Sequence, residues 1–195
     1  MLDTPHASSA EPHVRRWTRA QYYHMADLGW FTGARVELID GQVMDMTPQK
    51  NAHAVGIGKC DDALRAVFGV EFWIRMHLPL AVDASSEPEL DLVVVPGRPR
   101  DYEAHPTTAL LVAEISDTTV AHDRHKAGLY ARAGVGDYWI INVADRQLEV
   151  FRNPQPDEWA PFGHQYSEQQ VLRAPASIAP LVAPEALIPL KCLFD

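Results

Sequence analysis

Two acidic residues stand where the strand-forming sequence is most apolar. In LDLVVVP, residues 90–96, Asp91 shares a side-chain face with Val93 and Val95, because side chains alternate along a strand with period two. In ALLVAEIS, residues 109–116, Glu114 shares a face with Leu110 and Val112 in the same way. An ionised carboxylate among core side chains is costly unless it takes up a proton, pairs with a cation or binds a metal. If the two strands are neighbours, the acids repel each other when nothing lies between them and attract a divalent cation. Such oxygen ligands suit Mg²⁺, which is commonly held by one or two carboxylates plus substrate phosphate. The competing reading leaves each acid at a hydrated strand end with no chemical part. Glu37, in RVELID, is a third candidate, and its strand is equally compatible with a solvent-facing glutamate.

Other polar residues carry less. His122 and His125 are three apart on a helical segment and could ligate a metal, but no HExxH pattern and no third ligand lie nearby in sequence, so a surface helix is the better reading. Asp123 reads as a first-turn acid that favours the helix dipole. Tyr138 and Trp139 read as core aromatics.

The elements that must position these residues follow from periodicity and punctuation. Residues 1–16 are polar and without periodicity, an expected loose arm ahead of a domain over 17–195. Thr18 caps a helix through Tyr22, Met25 and Leu28 that Gly29 ends. RVELIDGQVMDM is a β-hairpin around Asp40-Gly41. Thr47-Pro48 offers a cap and first-turn proline to a helix with Ile57, Cys60, Leu64 and Val67 on one face, stopped at Gly69. EFWIRMHLPL, LDLVVVP and ALLVAEIS are strands, and AHDRHKAGLYARAG is a helix capped by Gly134. DYWIINV and LEVFR are strands joined by ADRQ. After Asn153 the sequence implies an irregular covering layer with a strand near 169–172. The order α, hairpin, α, β, β, β, α, β, β describes a mixed sheet with helices packed on it.

Composition bounds the function. The chain has 195 residues, 47% hydrophobic and 22% charged, enough for one core without disulfides. Cys60 and Cys192 form no CxxC pair and the N-terminus shows no signal peptide, which points to the cytoplasm. No run of residues is apolar enough to span a membrane. A net charge of −9 excludes a broad basic face for nucleic acid, so such contact must be local. Basic residues cluster at Arg15, Arg16 and Arg19, at Arg98 and Arg100, and along Arg124, Lys126 and Arg132.

The hairpin VELIDGQV, the segment TPQKNAH, the strands ELDLVVVPG and LVAEISDTT, and the block DRHKAGLYARAGVGDYWIINVADRQLEVF occur in that order between Glu37 and Phe151. Together they resemble the Uma family of proposed restriction endonucleases, YARAGVGDYWIIN being the most specific part. The resemblance implies an α/β fold of PD-(D/E)XK type, a restriction-endonuclease-like mixed β-sheet flanked by α-helices. In it Asp91 and Glu114 bind Mg²⁺, with Mn²⁺ able to substitute, and a lysine assists the attacking water. Two departures stand out: Leu90 replaces the signature proline before Asp91, and Ser116 replaces the signature lysine two after Glu114. The resembled family tends to carry its lysine on the following helix instead, where this chain has Lys126, and a histidine on the helix after the hairpin, here His53.

The implied activity is a metal-dependent hydrolysis of DNA phosphodiesters by an endodeoxyribonuclease, with Glu37 at a second metal or a metal-bound water. A symmetric homodimer would serve cutting of both strands. The rival is a catalytically silent PD-(D/E)XK module that binds nucleic acid or a protein partner, since fold does not guarantee activity. A hydrolase of another phosphate ester is a third reading.

Overall fold

The computed structural model describes residues 14–195. Most of the expected N-terminal arm therefore lies outside the described residues. Of its last residues, Arg16 is ion-paired with Asp40 and Arg15 lies over the Trp17 ring.

Helix α1 (Arg19–Asp27) begins where the sequence places its cap: Thr18 Oγ1 accepts the Gln21 amide and Gln21 answers at the Thr18 amide. Strands β1 (Val36–Ile39) and β2 (Gln42–Asp45) form a hairpin that is a sheet of its own. Its turn works because Asp40 and Gly41 both take positive φ, 47° and 75°. Helix α2 (Asn51–Phe68) starts three residues later than Pro48 at N1 would require. Lys50 stands at its N-cap without a side-chain cap bond, and the preceding segment stays extended, with the Gln49 amide donating to His77 Nδ1 at 3.3 Å. Thr47 and Pro48 thus form a wall and not a cap. At the other end Gly69, at φ 59°, closes the helix as expected.

Strands β3 (Phe72–Pro79), β4 (Glu89–Pro96) and β5 (Leu111–Ser116) run antiparallel in turn. Helix α3 (Val120–Arg132) crosses over to β6 (Asp137–Asn142), which lies parallel to β5. Then β7 (Gln147–Pro156) and β8 (His164–Leu172) complete a six-stranded mixed sheet in the order β3-β4-β5-β6-β7-β8. The strand expected near 169–172 is therefore longer than its apolar pattern suggests. As an edge strand with most of its side chains exposed, β8 carries polar residues that hide it from a periodicity argument. The chain ends in a small β9 (Ser177–Ile178) and β10 (Ile188–Pro189) pair and a short α4 (Lys191–Phe194).

Each face of the sheet has its own core. On one face Ile57, Cys60, Leu64 and Phe68 of α2 meet Leu92, Val94, Leu111, Ala113 and Ile115, with Leu193 and Phe194 of α4 beside them. On the other, Ala127, Tyr130 and Ala131 of α3 meet Val93, Val112, Tyr138, Ile140 and Phe151. Tyr138 and Trp139 are fully buried, one to each face.

Two glycines set how closely the helices approach. A Cβ on Gly56 would lie 2.7 Å from Ile115 Cγ2, so α2 rests on β5 directly beside Glu114. A Cβ on Gly128 would lie 2.4 Å from Pro161 O and 2.9 Å from His164 O, where the β7–β8 connection folds over α3. A mid-helix glycine ordinarily costs about 1 kcal/mol relative to alanine. Gly128→Ala is nevertheless expected to destabilise the protein by roughly 1–3 kcal/mol, because the obstacle is backbone and cannot rotate away. Urea unfolding measures this, and a stabilised variant would show that the 161–164 segment yields freely.

Candidate active site

The sheet comes apart locally at Asp91. On one side the β4–β5 pairing is last seen at Leu92↔Ala113, and on the other the β3–β4 pairing passes from Met76↔Leu92 to Leu78↔Leu90 without a rung at Asp91. The β3 residue that would fill that rung is His77, with φ at 51°, a left-handed backbone uncommon for any residue but glycine. Where the ladder stops, carboxylates take over its amides. The Ile115 amide donates to Asp91 Oδ2 at 2.8 Å, and the Asp91 amide donates to Glu114 Oε2 at 3.2 Å. Glu114 faces α3, Asp91 meets His53 of α2, and each acid holds the other's strand.

Three elements converge on this gap. His53, near the N-terminus of α2, donates from Nε2 to Asp91 Oδ1 at 3.0 Å, and His77 Nδ1 lies 3.9 Å from the same oxygen. From α3, Lys126 Nζ donates to Glu114 Oε1 at 2.5 Å and Tyr130 donates its hydroxyl to that oxygen at 2.6 Å. Asp123, one turn before Lys126, lies 3.7 Å from its ammonium and accepts from Thr119 Oγ1 at 2.8 Å. From the hairpin, Glu37 accepts the Glu89 amide at 3.2 Å and lies 3.6 Å from His122 Nε2. Glu37, Asp91, Glu114, Asp123 and Lys126 are only 3–8% exposed, yet all five line one cleft of about 360 Å³.

Ser116 shares the strand face of Glu114, but it is fully buried and bonded to Thr119 at 3.2 Å. The cation beside Glu114 comes from α3. Lys126 is no surface residue: burial pushes its ammonium down, and the carboxylates of Glu114, Glu37 and Asp123 more than offset this, holding it above its ordinary value. Burial pushes the Glu114 carboxyl up to about 7; the Lys126 charge opposes this, and Asp91 and Asp123 add to it. Glu37 is also pushed up by burial, but the His122 contact and the Lys126 charge outweigh that and leave it below its ordinary value. His53 is pushed down by burial and raised on balance by Asp91. Burial and the nearby carboxylates raise the Tyr130 hydroxyl well above its ordinary range, so it remains a donor.

Glu114 thus titrates where most carboxylates do not. Between the unfolded value of 4.5 and the folded value near 7 the native state holds the extra proton, so this group's contribution to stability falls as pH rises through that window. Carbon-detected NMR of the metal-free protein is expected to show one glutamate titrating well above the ordinary range and moving down in Asp91→Asn. A glutamate set that titrates entirely below pH 5 would contradict this site.

A hard divalent cation fits the donors. Asp91 and Glu114 offer oxygens, each with acceptor capacity beyond the bonds it makes, and their mutual repulsion is relieved by positive charge. Among the described residues no three or more His, Cys, Asp or Glu side chains are grouped so that together they could hold a metal ion. Magnesium does not need such a group, since it keeps several waters and takes one or two carboxylates.

Sequence reasoning missed Tyr130 and undervalued Asp123 and His122. The signal was present: Asp123, Lys126 and Tyr130 are spaced i, i+3, i+7, one stripe of a helix, and a stripe bearing Lys126 toward a carboxylate carries the other two with it. For His77 the sequence holds no signal, because its part depends on an unusual backbone angle.

Fold and site together define an α/β protein of restriction-endonuclease-like architecture, with its acids and lysine gathered where the central sheet splays. The crystal structure of a "putative nuclease" belonging to DUF820, from Anabaena variabilis, shares this fold with a TM-score of 0.62 at 19% identity, over 84% of this chain and 91% of that one. The chain belongs to the Uma2 family, described as "Putative restriction endonuclease", whose sequence pattern matches residues 19–188. No curated protein matches it. Among the described residues no helix is long and apolar enough to cross a membrane.

Proposed function

We propose that this protein is a Mg²⁺-dependent endonuclease that hydrolyses DNA phosphodiester bonds, with Mn²⁺ able to substitute. One observation carries the reading: a buried lysine from α3 reaches the strand-borne glutamate beside the aspartate at the gap in the ladder, restoring from a helix the charge that Ser116 cannot supply. In the proposed roles Asp91 and Glu114 hold the metal. A bound Mg²⁺ supplies Lewis acidity and lowers the pKa of a coordinated water. His53 fixes the Asp91 rotamer, and Tyr130 fixes that of Glu114. Lys126, kept as an ammonium at the cleft, orients a water or counters the charge that develops on the phosphoryl oxygens. Glu37 faces the same cleft from the hairpin, where it can accept a proton from a second water or hold a second cation.

The test is direct. Supercoiled plasmid incubated with the protein and Mg²⁺ is expected to be nicked, EDTA is expected to stop the reaction, and calorimetry is expected to show cation uptake. A protein that neither takes up Mg²⁺ or Mn²⁺ nor cuts any nucleic acid is the silent module instead.

A further inference from the structure

A second cavity, of about 250 Å³, lies between α3 and the strands β7 and β8. Arg124, His125 and Gly128 form its helix side, whereas Asp123 and Lys126 of the same helix line the carboxylate cleft. One helix width, about 10 Å, therefore separates the two. Their chemistry differs. The Arg124 guanidinium meets the buried Glu149 carboxylate in two bonds of 2.7 Å, and the Gln147 amide adds a third at 3.0 Å. This paired charge cancels within the cavity, which leaves little to attract a phosphate or a metal. The buried rings of Phe151 and Tyr166 supply apolar wall. What stays open is neutral and polar: the Gln169 amide, set beside Phe151 by the β7–β8 register, and the His125 imidazole make no hydrogen bond or ion pair among the described residues. The volume lies below the roughly 300–1,000 Å³ of pockets for drug-sized ligands, so the space suits one planar ring system with a polar edge.

The turn between β7 and β8 adds an independent observation. The Asp157 amide donates to Gly163 O at 3.0 Å, the Asp157 carboxylate accepts the Trp159 amide at 2.9 Å, and Phe162 holds a left-handed φ of 61°. This closed turn leaves Trp159 88% exposed, directly before Ala160 and Pro161, which line the cavity. An indole kept in solvent beside a neutral, ring-sized cavity has the makings of a stacking platform for bases. We infer that, given the nuclease reading above, this cavity and Trp159 receive unpaired nucleobases of the substrate strand. Trp159 offers a face to stack on, and Gln169 and His125 offer donors and acceptors to a base edge. Such a grip needs no contact with phosphate. It suits a chain whose net charge of −9 gives no general attraction to nucleic acid.

Fluorescence anisotropy with the full chain tests this by comparing a labelled single-stranded oligonucleotide with an abasic strand of the same length, which carries the same phosphates without the bases. Ca²⁺ replaces Mg²⁺ so that binding is read apart from cleavage. Wild-type protein is expected to bind the base-bearing strand at least about tenfold more tightly. Trp159→Ala is expected to remove about tenfold of that affinity and Gln169→Ala about threefold, both leaving the abasic strand bound as before. Both side chains are exposed, so unchanged thermal unfolding of the variants serves as the control on folding. Free adenosine is expected to compete only at millimolar concentration; competition as strong as that of the unlabelled strand would make the cavity a site for free nucleosides and overturn the assignment to the strand. Equal wild-type affinity for the two strands, or unchanged affinity in both variants, also overturns the inference. If plasmid is still nicked with Mg²⁺ in that case, the nuclease reading stands alone; if it is not nicked and no cation is taken up, both fall.

Discussion

Asp91→Asn is expected to abolish plasmid nicking, by a factor of about 10² or more, while the protein remains folded. The substitution keeps an oxygen to accept the Ile115 amide, which is the bond that ties β4 to β5 where their pairing stops. It removes the charge that a cation would neutralise, so calorimetric Mg²⁺ uptake is expected to weaken together with activity. Because Glu114 loses a like-charged neighbour, its carboxyl is expected to titrate lower than in wild type. A variant that cuts at the wild-type rate would place Asp91 among purely structural acids that serve a frayed ladder.

Lys126→Met is expected to be as damaging to activity, and its effect on stability separates a buried partner from a surface lysine. Methionine replaces the apolar stem but leaves Glu114 without its cation in a buried place. Removing one partner of a buried pair costs about 3–5 kcal/mol when the other stays charged. Glu114, already raised by burial, can escape part of that by keeping its proton. The variant is therefore expected to lose little stability near pH 5 and progressively more as pH rises, the loss growing through and beyond the window in which Glu114 ionises. Thermal unfolding of both proteins across pH 5–9 measures this. A uniform loss across that range, or none, would remove Lys126 from the ionisation of Glu114, and wild-type cleavage by the variant would remove it from the chemistry.

How far the sequence reaches is visible in particular residues. Asp91 and Glu114 stand out because period two places each on the face of valines and leucines, and a carboxylate there needs a reason. Helices and strands through Phe151 follow from periodicity and from Gly69, Asp40-Gly41 and Gly134, whose positive φ the structure displays. What fails is whatever tertiary contact decides. Thr47-Pro48 has the composition of a helix start, but the chain there follows the Gln49–His77 contact along the cleft. The long β8 is polar because it is an edge. Asp123 reads as a dipole-favouring acid until the angle of α3 against β5 is known, and that angle depends on packing from both sides of the helix.

The lysine that serves Glu114 is carried by a different element, twelve residues further along the chain. On a strand, two residues apart, ligand and cation would share one stretch of backbone, and a change to either would disturb the other's register. Here the loop 117–119 separates them, and a change at residue 126 leaves the backbone register of the strands that hold the acids in place. Such an arrangement makes the proposed activity evolvable in both directions. A lineage can lose the cation by one substitution in a helix and keep an intact, foldable scaffold, and another single substitution can restore it. Active and inert forms of this architecture stand one mutational step apart.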